Sequence, residues 1–257
     1  MPLHTLPTLY RAEVLSRPSK SVKSPYVADV RLEDGSEGLC HTPGLSCCGL
    51  VSAGRTIYVT KSTSTKAKTA YVAQVSECTD SEGIYYVGIH PMIGQKVASC
   101  LLHKIADDVV WKSEVKLSEH TRLDYVALRP DGKKIYVEVK NAMISLSKEV
   151  RANRCAVFPE GFRKKKTDPF SPRAVKHAET LAELVKLPDT EAAYLVYLVS
   201  RDDCMKGLTI NPSDPVYCKA VTDAMAAGVK VRVFGVKYGL NGEIEFMGEL
   251  EFGVGGL

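Results

Sequence analysis

The chain has 257 residues, more than one domain of ~150 residues usually holds and enough to bury a substantial core without disulfide or metal staples. With 45% hydrophobic and 25% charged residues, a wholly disordered chain is excluded. The net charge of +4 is too small to name a polyanionic partner, so its distribution along the chain has to decide.

From Tyr10 to Val87 the β-prone stretches 11–15, 26–32, 56–60, 71–75 and 84–89 are separated by glycine-bearing turns such as Asp34-Gly35 and Glu82-Gly83. Five short strands with this turn chemistry predict a small β-barrel of oligonucleotide-binding type over residues 1–88. Ile93, Val97, Leu101, Ile105 and Val109 then recur every four positions, which predicts an amphipathic helix of about four turns opening a second domain, residues 89–257. Two strands follow, 121–128 and 134–140, joined through Arg129-Pro130-Asp131-Gly132 as an antiparallel pair. Helices over 173–186 and 214–227 alternate with nearly all-apolar strands at 194–199 and 229–236, and the tail from Tyr238 to Phe252, with a turn at Asn241-Gly242, reads as a hairpin or an edge extension. The second half therefore reads as an α/β sandwich with an all-β part before it.

The eight cysteines form no C-x-x-C pair, and Cys40, His41, Cys47 and Cys48 lack zinc-ligand spacing, so scattered reduced thiols of a cytoplasmic protein are expected. No apolar run reaches the ~18 residues that span a bilayer, so no membrane partner is expected. Neither a Walker loop nor a Rossmann glycine pattern is present.

Glu138 and Lys140 lie two residues apart in one predicted strand and Asp124 lies in the strand before it. Period-two alternation sends Glu138 and Lys140 to the same face. If the register brings Asp124 beside Glu138, the two form an oxygen site for Mg²⁺ or Mn²⁺, with Lys140 placed to orient water or neutralise a phosphate. Cross-strand salt bridges on a solvated sheet face account for the same three residues without catalysis.

Several ordered segments carry a resemblance. Lys112-Ser113-Glu114-Val115-Lys116, Arg122-Leu123-Asp124-Tyr125, Val137-Glu138-Val139-Lys140-Asn141, Phe158-Pro159-Glu160 and Lys176-His177 together resemble the sugar fermentation stimulation protein family. So do Cys40-His41-Thr42-Pro43-Gly44 upstream and the stretch from Asp214-Pro215-Val216-Tyr217 to Gly228-Val229. The resemblance implies a DNA-binding protein with an amino-terminal oligonucleotide-binding barrel and a restriction-endonuclease-like domain. It makes Asp124 and Glu138 metal ligands, Lys140 the third member of the core, Glu114 an acidic contributor, and Lys176 and His177 residues of a helix lining the site. His177 is open to a packing or capping role as well as a functional one. The chain departs from the family pattern in the long basic connection from Gly161 to Arg173 and in lacking an asparagine near Thr42-Pro43-Gly44.

From Arg151 to His177 the basic residues Arg151, Arg154, Arg163, Lys164, Lys165, Lys166, Arg173 and Lys176 outnumber Glu160 and Asp168, giving that segment +6. Together with His177 they are the candidate nucleic-acid contacts, and Phe162 and Phe170 could stack on bases or anchor the loop. A thinner basic set, Arg55, Lys61, Lys66 and Lys68, lies in the barrel half. The expectation is a DNA-binding protein, with RNA as a further candidate partner, built around a nuclease-like, divalent-metal-capable site. The alternatives are an active Mg²⁺-dependent nuclease cleaving phosphodiesters and an accessory regulator acting through protein partners. No dedicated sugar ligand is expected, because no aromatic and carboxylate arrangement of a sugar site is recognisable.

Overall fold

A computed structural model describes residues 1–254 apart from 46, 65, 66, 120, 162–164 and 166. The chain starts with the two-residue strand His4–Thr5 (β1) and then forms Tyr10–Ser16 (β2), Val27–Leu32 (β3), Glu37–His41 (β4), Thr56–Lys61 (β5), Tyr71–Asp80 (β6) and Gly83–Gly88 (β7). β2 to β7 make a six-stranded sheet in the order β4-β3-β2-β5-β6-β7. It curls until β4 meets β6 through the parallel pairs Cys40↔Tyr71 and His41↔Val72. Gly38 permits that approach, since a Cβ there would lie 2.9 Å from the Tyr71 ring. Inside the curl, Val14, Val30, Ile57, Val59, Ala73 and Val87 form a core of their own. β4 was not among the five predicted strands, because its glutamate and glycine start mask the pattern.

After β7 come Pro91–Ser99 (α1), Val110–Ser118 (β8), Thr121–Leu128 (β9), Lys134–Ala142 (β10), Cys155–Phe158 (β11), Pro172–Leu184 (α2), Thr190–Val199 (β12), Gly207–Ile210 (β13), Pro215–Ala226 (α3), Lys230–Tyr238 (β14), Glu243–Glu249 (β15) and Glu251–Gly253 (β16). A seven-stranded sheet runs β1-β15-β14-β12-β10-β9-β8, with a small parallel sheet β11-β13-β16 beside it. β10, β12 and β14 are mutually parallel; β12 and the middle of β14 are nearly all apolar, as strands covered on both faces require, while β10 interrupts that pattern with Glu138, Lys140 and Asn141. α2 and α3 close one face over Tyr136, Leu195, Tyr197 and Val233. On the other face Val97 and Leu101 pack with Tyr125, Val137 and Val196, and with Tyr58 and Val75 of the curled sheet. The amino-terminal β1 pairs with β15, so the first residues belong to the large sheet.

The four-turn helix predicted from Ile93 to Val109 is corrected to two turns and a half. The α-helix stops at Ser99, and a 3₁₀ turn spans Leu102–Lys104. Asp108 takes φ +55° before β8 starts. Ile105 and Val109 still pack on the same core as Val97 and Leu101, so their spacing reports a shared destination rather than a continuous helix.

Ion pairs tie the curled sheet to the segment before β11. Asp80 of β6 takes Arg151 at 2.9 Å and Arg154 at 2.7 Å, and Arg154 also reaches the fully buried Asp203 at 2.6 Å. Both arginines were expected to contact nucleic acid. Their guanidinium groups are instead committed to carboxylates at the junction, and Arg154 is only 6% exposed.

Candidate functional site

The turn after β9 sets the geometry of the site. Arg129 N–H donates to the Lys133 carbonyl at 2.8 Å and Gly132 N–H to the Arg129 carbonyl at 3.0 Å, and the ladder then runs from Lys134↔Leu128 to Val137↔Tyr125. One step further in that register is Glu138 opposite Asp124. There the strands separate, and the Asp124 side chain enters the gap: its Oδ2 accepts the Val139 N–H at 2.7 Å. On the other side of β9, the pairs Ser113↔Tyr125 and Val115↔Leu123 bracket Glu114 and Asp124. Glu114 has φ +54°, a conformation that non-glycine residues seldom adopt and that concentrates at functional sites. Glu114, Asp124 and Glu138 therefore occupy one level across three neighbouring strands.

Each carboxylate has its own donors. The Gln95 side-chain amide, from α1, donates to Glu114 Oε1 at 2.6 Å and to Asp124 Oδ1 at 3.1 Å. Arg122 donates to Glu114 Oε2 at 3.3 Å. Glu138, 2% exposed, accepts from Lys140 Nζ at 2.5 Å and from His177 Nδ1 on the same oxygen, Oε1, and Lys140 Nζ lies 3.3 Å from that ring nitrogen. Glu138 Oε2 is buried with no partner. His177 reaches this position because Ser171 caps α2, its Oγ accepting the Ala174 N–H at 3.2 Å. From that start Ala174, His177, Ala178 and Leu181 fall on the buried stripe.

Electrostatics separate the two central acids. Burial, then the charge of Glu138, pushes the Asp124 carboxyl up to about 6. For Glu138 burial works upward, but the hydrogen bond from His177 and the charge of Lys140 outweigh it and hold the group below the usual glutamate range. Among the described residues no three His, Cys, Asp or Glu side chains gather closely enough to hold an ion together. The amide of Gln95 engages Asp124 and Glu114, while Lys140 and His177 engage Glu138. Oε2 of Glu138 is orphaned, an oxygen donor of the kind that hard cations take.

A cavity of about 580 Å³ lies between the β8–β9 turn and the start of α2, lined by Lys116, Arg122, Arg173, Lys176 and His177 with Glu119 opposite. Thus Arg173, Lys176 and His177 of the predicted basic set line this cavity, and His177 is also a partner of Glu138. Lys165 is exposed, its backbone N–H donating to Asp168 at 3.1 Å. Arg163, Lys164, Lys166, Phe162 and, earlier in the sequence, Lys66 lie outside the described residues. Phe170 anchors its loop, its N–H donating to Asp214 at 2.8 Å. Gln95 was not foreseen: a polar residue next to Lys96 on a short amphipathic helix gives no signal of what it faces. No helix among the described residues is long and apolar enough to cross a membrane.

A model described as "Sugar fermentation stimulation protein RE domain" matches residues 91–242. The chain is 30% identical over 236 residues to a sugar fermentation stimulation protein homolog of Synechococcus elongatus, covering 89% of each chain. It is 29% identical over 220 residues to the homolog of Caulobacter vibrioides, covering 83% of this chain and 84% of that one. Its fold is similar to that of Pyrococcus furiosus SfsA, solved in complex with Ca²⁺, with a TM-score of 0.76 at 23% identity over 98% of this chain and 99% of that chain.

Proposed function

Since the chain belongs to the sugar fermentation stimulation protein family, we propose that it binds DNA through a nuclease-like domain, residues 89–257, able to take up a divalent cation. The amino-terminal part, residues 1–88, with its curled sheet of β2 to β7, is read as an oligonucleotide-binding module beside it. The observation that carries the metal reading is the buried, unpartnered Oε2 of Glu138 in the row that contains Asp124 and Glu114. Asp124 and Glu138 would hold Mg²⁺ or Mn²⁺, with Glu114 as a further acidic contributor. The Ca²⁺ complex of Pyrococcus furiosus SfsA supports an oxygen-ligated cation, because Ca²⁺ takes oxygen donors. Such an ion, when bound, polarises a phosphoryl oxygen and lowers the pKa of its water.

The chain's own residues supply the rest. Lys140 brings an ammonium beside Glu138, where it can meet charge developing on a phosphate. His177 fixes the orientation of the Glu138 carboxylate and, with Lys140, offsets the cost of its burial. Lys116, Arg122, Arg173 and Lys176 around the cavity provide sequence-independent contacts to a phosphodiester backbone. The basic run from Arg163 to Lys166 extends that charge along the chain.

Binding is tested by fluorescence anisotropy of labelled duplex DNA, single-stranded DNA and RNA over a salt series with Ca²⁺ present. DNA affinity should fall steeply as salt rises; absence of salt-dependent binding would refute the reading. Phosphodiester cleavage is the second reading, favoured by Lys140 next to Glu138. Incubation of the same substrates with Mg²⁺ or Mn²⁺ tests it, and cleavage that survives conversion of both Asp124 and Glu138 to alanine would rule out this site as its source.

A further inference from the structure

The Gln95 side chain holds two carboxylates with one amide. Its NH₂ group carries two hydrogens, and they go to Glu114 at 2.6 Å and Asp124 at 3.1 Å. The helix turn bearing it is clamped from two strands. Tyr125 of β9 donates its hydroxyl to the Gln95 carbonyl at 2.8 Å. Gly94 sits so close to Asn141 of β10 that a Cβ would stand 3.2 Å from its Cγ.

The opposite oxygens are held as well, Asp124 Oδ2 by Val139 N–H and Glu114 Oε2 by Arg122. Every oxygen of this pair thus has one donor and retains acceptor capacity for a ligand. The φ of +54° at Glu114 turns a residue of the edge strand out of its ladder, and Gln95 is the partner its Oε1 meets.

We propose that Gln95 is a positioning residue for the cation site: its carboxamide couples Glu114 to Asp124 and holds both in the orientation that receives a divalent ion. The inference rests on the cation reading above. Hydrogen-bond donors behind ligating carboxylates of this kind set metal affinity by orientation, and their loss costs about 10- to 100-fold.

The experiment is isothermal titration of the full chain with Mn²⁺ and with Ca²⁺, for the wild type and for Q95M, Q95A, E114A, Q95M/E114A and D124N. Q95M keeps the length and the helix preference while removing the donor, and Q95A gives a second route if Q95M folds poorly. Both should bind about 10- to 100-fold more weakly, with the metal-free melting temperature close to that of the wild type. Adding E114A to Q95M should cost less than E114A costs alone, because the two act through one connection.

Affinity of Q95M and Q95A within threefold of the wild type, or tighter, would overturn the role of Gln95 while leaving the cation site standing, provided D124N binds poorly. Fully additive losses in Q95M/E114A would likewise overturn the coupling. A wild type that takes up neither ion, or D124N binding as well as the wild type, would remove the cation reading itself and this inference with it.

Discussion

Replacing Asp124 by asparagine should change how stability depends on pH. Burial and the neighbouring Glu138 charge move Asp124 from the ordinary 3.8 up to about 6. A carboxyl whose folded pKa lies above its unfolded pKa contributes stability that is fully present below about pH 4 and is lost as pH rises through the folded value. The gap of about two units corresponds to about 3 kcal/mol at 1.36 kcal/mol per unit. Asparagine cannot ionise, so D124N escapes this loss, and its stability relative to the wild type should rise by about 3 kcal/mol between pH 4 and pH 8. Asparagine has one oxygen where the carboxylate offers two, to Val139 and Gln95. At pH 4 the protonated acid is likewise left with one carbonyl oxygen, and the extra acceptor of the ionised form at pH 8 is already contained in its folded pKa. Urea unfolding of both proteins across the range, with equal slopes against denaturant, gives the difference directly. A difference that stays flat with pH, or that favours the wild type as pH rises, would refute the burial and charge argument.

Glu138 should behave in the opposite sense: its folded pKa is depressed, so its contribution is present above about pH 4.3 and is lost as pH falls. H177A removes one donor to this buried carboxylate and should cost about 1.5–3 kcal/mol at pH 8, with a smaller cost in acid, read from the same unfolding curves. R154A strips one cation from Asp203, which is fully buried; because Arg201 still reaches Asp203 at 2.6 Å, the loss should sit near the lower end for a broken buried pair, about 3 kcal/mol. In DNA titrations, neutralising Lys116, Arg173 or Lys176 one at a time should flatten the plot of log affinity against log salt by about 0.9 per lost phosphate contact. Unchanged slopes would remove the cavity from the binding surface.

β9 and β10 were legible as an antiparallel pair because a Pro-Asp-Gly turn separates two stretches of alternating residues. Alternation assigned Lys140 to the face of Glu138 outright, whereas the pairing of Asp124 with Glu138 stayed conditional on the register that the ladder from Lys134↔Leu128 to Val137↔Tyr125 supplies. α2 and α3 were equally legible, each opened by a capping residue and proline: Ser171-Pro172 and Asp214-Pro215. The end of α1 was not, since Ile105 and Val109 keep a helical spacing while reaching the core from a turn. β11, β13 and β16, of four, four and three residues, are too short to carry a period. Arg151 and Arg154 look like free basic charge in a linear reading, and only the fold brings Asp80 and Asp203 against them. Gln95 is the clearest case of the same limit: the residues that give it meaning lie 19 and 29 positions away.

The most direct test of the central claim is an anomalous difference map from crystals of the full chain soaked in Mn²⁺. A single peak within ligand distance of both Asp124 and Glu138, with Oε2 of Glu138 among its ligands, is the expected result. A map with no peak between those two carboxylates, or with manganese bound only elsewhere, would contradict the account.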